Sequence, residues 1–156
     1  MSAKEGSSNL NEKVLVFLLR VSGILLVTAL IPAIMPFAWM DEIHRQLGMG
    51  DLPRGPIVGY LTRSLSAIYA LHGALVLFVS LDVRRYLPVI RCLAILAVVF
   101  GIGLIPLDAM VGMPWFWVLG EGPMAIVLGG VLLWLAGRID EGQGTEAEHD
   151  YAERLD

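Results

Sequence analysis

Four long apolar runs, at about residues 14–35, 57–81, 87–107 and 115–136, are separated by polar breaks of uneven length. At the ~1.5 Å rise per residue of an α-helix, each run covers the ~30 Å hydrocarbon core of a bilayer. A helix is the element predicted for each, because it satisfies its own backbone groups where no water reaches them. The break between the first two runs is too long for a simple turn. Within it Met40, Ile43 and Leu47 recur at helical spacing, Asp41 and Arg45 stand four apart on the other side, and Gly48 follows as a C-cap. This pattern predicts a short amphipathic helix lying in the membrane boundary. The fold class read from the pattern is all-α: a four-helix transmembrane bundle, up-down-up-down, with a short interfacial amphipathic helix between spans 1 and 2.

A polar leader, 1–13, precedes the four-span domain 14–136, and an acidic segment, 137–156, follows it. The first apolar run far exceeds the 7–15 residues of a signal-peptide core, so it reads as an uncleaved anchor. The tail's Gly, Glu and Asp content predicts a solvated segment, mobile or a frayed helix, on the cytoplasmic side.

Composition agrees with the pattern. Of 156 residues, 56% are apolar and 17% charged, against roughly 45–50% and about 25% in soluble domains, which excludes an ordinary soluble fold. The net charge of −4 is concentrated in the tail, where Arg138 and Arg154 face seven acidic residues. Elsewhere the charges nearly balance and form no basic stripe, so nucleic acid is not expected as a partner. Membrane lipid is expected, together with a second copy of the chain or a membrane-complex partner. Lys4, Lys13, Arg84, Arg85, Arg91, Arg138 and Arg154 fall on one side of the spans, and Arg45 and Arg54 on the other. Basic residues are retained in the cytoplasm, which orients both termini inward, as expected for a bacterial inner-membrane protein. Trp39, Tyr60, Trp115, Phe116 and Trp117 gather at the opposite boundary, where amphipathic rings prefer to sit.

The two halves echo each other. Leu30-Ile31-Pro32 and Met35-Pro36-Phe37-Ala38-Trp39 in the first have counterparts in Leu104-Ile105-Pro106 and Met113-Pro114-Trp115-Phe116-Trp117 in the second. Two readings fit. A duplication would relate two hairpins by an axis along the membrane normal and place any site between them. Alternatively, Pro and Trp recur at span ends simply because span ends favour them.

Ionisable residues at membrane depth are costly and each is a candidate for function. Arg63 and Glu121 lie about six residues inside their spans, hence at nearly the same depth, and Asp108 closes the third span. Together they make one plausible polar cluster. One reading is an ion-pair clamp between spans two, three and four; the other is a polar pocket for a headgroup, a quinone-like amphiphile or a proton. Arg20, near the inner face, has a side chain long enough to snorkel to water. His72 lies nine residues after Arg63 on the opposite helical face and lacks a second intramembrane histidine for haem ligation. Asp41 and His44 are ligand types without the spacing of a metal site. No cofactor or metal is assigned, Cys92 is read as a packing thiol, and no catalytic motif stands in the chain. Pro123, after Glu121-Gly122, predicts a kink in the fourth span.

Leu19-Arg20-Val21-Ser22-Gly23, the Trp-Pro span ends and Gly120-Glu121-Gly122-Pro123 resemble small bacterial four-span membrane proteins of unassigned function, and the chain is weakly similar to the DoxX-like group. The resemblance covers about residues 14–136 and implies a link to redox or quinone-associated membrane complexes. From the residues themselves the expected role is that of a non-enzymatic accessory or assembly subunit. The alternatives are an oligomeric transporter or channel, and a quinone- or haem-associated redox subunit.

Overall fold

The structure is a computed structural model that describes the backbone of residues 3–153 and the side chains of residues 9–140. It contains helices α1 (Ala3–Val27), α2 (Leu30–Ile34), α3 (Phe37–Gln46), α4 (Pro56–Val79), α5 (Leu87–Val111) and α6 (Trp115–Glu153), and no strand among the described residues. Four segments, Asn9–Ile34, Pro56–Val79, Leu87–Val111 and Trp115–Asp140, are long and apolar enough to cross a membrane. The chain thus has the helical framework of an integral membrane protein.

The helix boundaries depart from the apolar runs at prolines and polar ends. The first run is two helices, because Pro32 has no N–H to offer the Thr28 carbonyl. That carbonyl instead accepts the tighter bond from the Ile31 amide at 3.0 Å, and α1 and α2 part at Thr28–Ala29. Neither Pro106 nor Pro123 ends its helix. α5 passes Pro106 and stops a turn later than its apolar pattern, at Val111, where Gly112 takes a left-handed φ of 77° and the Met113 amide bonds the Asp108 carbonyl at 2.9 Å. This is the Schellman closure that glycine permits. α6 continues through the polar tail to Glu153, and the tail side chains beyond Asp140 lie outside the described residues. The α1 backbone likewise begins at Ala3, inside the polar leader.

α1 packs along α4, α5 packs along α6, and α1 against α6 joins the two pairs, while α4 and α5 barely meet. Each pair crosses at glycines. A Cβ on Gly73 would stand 2.7 Å from the Gly23 carbonyl oxygen, and one on Gly101 would stand 2.5 Å from that of Gly122. Small residues let membrane helices approach to backbone contact, which supplies the dispersion energy that lipid cannot.

The core lies at one end. Leu15 and Leu19 of α1, Val76 and Val79 of α4, Ile90 and Ala94 of α5, and Leu135, Ala136 and Ile139 of α6 are buried together where α1 approaches α6. Ion pairs fasten the rim of this core end, Arg84 to Glu12 at 2.9 Å and Arg91 to Asp140 at 2.8 Å. Toward α3 the pairs separate, and every span turns many apolar side chains outward, as a lipid environment allows.

A cleft between the helix pairs

The separation leaves an open cleft of about 490 Å³, lined by Leu25, Leu26, Thr28 and Ala29 at the end of α1, Ile31 and Pro32 of α2, Tyr69 of α4 and Glu121 of α6. The break at Thr28–Ala29 contributes to the cleft wall. Glu121 is held in place from its own helix, where the Trp117 indole N–H donates to Oε2 at 2.6 Å across one turn. Tyr69 lies within electrostatic range of both Glu121 and Asp108.

Asp108 occupies the last turn of α5. Its backbone carbonyl serves the Gly112 cap, while the residue is 6% exposed and Oδ2 has no hydrogen-bond partner. A buried acceptor left unbonded costs about 1–3 kcal/mol, so such atoms call for an explanation in function or in missing partners.

Of the three residues expected as one cluster, the structure places Glu121 beside Tyr69 in the cleft, buries Asp108 in the last turn of α5 outside the cleft lining, and sets Arg63 elsewhere. The Arg63 guanidinium donates to the Met35 carbonyl at 3.2 Å and to the Gly59 carbonyl at 3.5 Å. It faces a separate pocket of about 550 Å³ with Phe37, Arg54 and Tyr60. The equal depth inferred for Arg63 and Glu121 assumed that α4 and α6 start level. They do not: Glu121 sits beside Tyr69, which is six residues, or ~9 Å of helix, further along α4 than Arg63. No ion pair of Arg63 with either carboxylate occurs among the described residues.

The remaining candidates are dispersed. Asp41 is buried and accepts the Leu52 amide at 2.8 Å, closing the loop after α3, with Arg45 at 3.6 Å. His44 Nδ1 bonds the Gly50 carbonyl at 2.9 Å in the same loop, and Gly48 caps α3 with a φ of 76°. Arg20 and His72 are exposed on the outer surfaces of α1 and α4. Among the described residues no three His, Cys, Asp or Glu side chains are grouped to hold a metal ion.

Tyr69 escaped the sequence reading, which weighed charges and histidines. Its signal was positional: tyrosine favours membrane boundaries, and this one stands in the middle of a span. Comparisons with protein-family models, with curated proteins and with solved structures give no match to the chain.

Proposed function

We propose that the protein is a non-enzymatic accessory or assembly subunit of the bacterial inner membrane, with both termini in the cytoplasm, working against a second copy of itself or another membrane protein. The observation that carries this reading is the uneven packing. The core fills one end, α4 and α5 barely meet, and Asp108 Oδ2 is buried without a partner at the end left open. A helix or loop from a partner would supply both the missing packing and the missing donor. The orientation is supported by seven basic residues on one side of the spans against two on the other. The DoxX-like resemblance supports a setting beside redox or quinone-associated complexes.

Native mass spectrometry of protein extracted gently from its own membrane tests the reading. A homo-oligomer or a stoichiometric foreign subunit is expected, and a bare monomer carrying only bulk lipid would refute it. A second reading, an oligomeric transporter for a small solute, is favoured by one observation, the open cleft that Glu121 and Tyr69 line together. It requires flux that Glu121→Gln abolishes while the oligomer survives.

A further inference from the structure

We propose that the cleft between α1–α2, α4 and α6 is a binding site for a lipophilic organic cation, a quaternary ammonium or phosphonium or a hydrophobic amine, held by the Glu121 carboxylate with Tyr69 beside it. Glu121 is the only charged residue among those lining the cleft. Neither Glu121 nor Asp108 has a basic side chain within ion-pair distance among the described residues, because Arg63, the nearest expected counter-charge, is spent on the Met35 and Gly59 carbonyls. The negative charge of a carboxylate at membrane depth is costly without a cation to offset it.

The second observation is the setting of that carboxylate: the Trp117 indole N–H donates to Glu121 Oε2 at 2.6 Å, and Tyr69 lines the same cleft. One carboxylate and one aromatic ring therefore face a space whose lining has no positive group of its own. The rest of the wall selects the kind of cation. The side chains of Leu25, Leu26, Ile31 and Pro32 offer no oxygen ligands and the Thr28 hydroxyl is turned to the Leu25 carbonyl at 2.6 Å, so a hydrated inorganic cation would lose more water contacts than these side chains replace. An organic cation needs none: its apolar body packs on the aliphatic wall, its charge meets Glu121, and the Tyr69 ring adds a cation–π contact. The volume of about 490 Å³ lies within the roughly 300–1,000 Å³ of small-molecule sites. This inference goes beyond the accessory role and stands apart from it, since a monomer could bind the cation and a complex could lack it.

The test is equilibrium binding of tetraphenylphosphonium to the purified full-length protein in detergent, with tetraphenylborate, of nearly the same shape and opposite charge, as the control. Saturable binding of the cation alone is expected, weakened about tenfold or more by Glu121→Gln through loss of one desolvated charge pair. Should Glu121→Gln fail to fold, Ala29→Phe, which fills the wall without touching either carboxylate, is expected to exclude the probe. Absence of saturable cation binding, equal competition by the borate, or full affinity in a folded Glu121→Gln or Ala29→Phe protein would each overturn the proposal.

Discussion

Arg63 shows how a charge at membrane depth finds a partner that residue types do not announce. Its guanidinium joins α4 to the Met35 carbonyl, at the turn between α2 and α3, and to the Gly59 carbonyl one turn back on its own helix. Backbone carbonyls carry no signature in a sequence, so a search for opposite charges pointed to Glu121 instead. That Asp108 and Glu121 stand out as buried or half-buried acids was legible from their depth and rarity; that Arg63 lies away from Glu121 was illegible, because it depends on how far α4 extends past α6. Arg63→Met is expected to destabilise the protein by about 1 kcal/mol, below the roughly 1.5–3 kcal/mol of bonds to a charged group because the guanidinium is half-buried and its bonds are long, 3.2 and 3.5 Å. Arg63→Lys should not recover it, since one ammonium on a flexible stem lacks the planar fork that reaches two carbonyls. Thermal unfolding of the two variants in the same detergent checks both statements.

The spans were the most legible elements, since a run of 20 apolar residues has few other uses. Their ends were less so. Proline was the clue at the α1–α2 break, yet Pro106 and Pro123 leave their helices whole, and the difference lies in neighbours. α5 and α6 lie against each other along their length, so tertiary contact holds helices that proline alone would interrupt. The glycines divide by the same logic. Gly101→Ala would push a methyl to 2.5 Å from the Gly122 carbonyl oxygen, and Gly73→Ala to 2.7 Å from that of Gly23. Each is expected to lower stability by roughly 1–3 kcal/mol, the usual penalty for overpacking. Gly103 and Gly130 have open space where a Cβ would go, and alanine at either is expected to stabilise by about 0.5–1 kcal/mol through helix propensity. Unfolding of the four variants side by side decides whether the crossings are true backbone contacts.

Taken as one object, the protein is tightly built at the core end and loosely built at the α3 end, and the proposed orientation assigns these ends to the inner and outer faces of the membrane. In a Cys92→Ser background, Gln46→Cys, on the exposed side of α3, is expected to react with a membrane-impermeant maleimide in intact cells, whereas Asp82→Cys, in the α4–α5 turn, should react only after lysis. The opposite pattern would invert the orientation. The fold class was readable because hydropathy and period suffice for it. The gap between α4 and α5 was not, because outward-facing leucine reads the same in sequence whether it meets lipid or another helix.

The break at Thr28–Ala29 also divides the loyalties of the first crossing segment. α1 leans on both α4 and α6, but α2 rests on α4, and the Met35 carbonyl just beyond it is latched there by Arg63. The cleft is accordingly framed by a jamb, α6 with Glu121, and by a two-leaf door whose upper leaf hangs from α4. Pro32→Ala restores an N–H to the Thr28 carbonyl and welds the leaves into one rod. Spin labels at Ile24 and Ile34 are then expected to report a longer, straighter separation. A single missing hydrogen thus sets the aperture of the space that Glu121 lines.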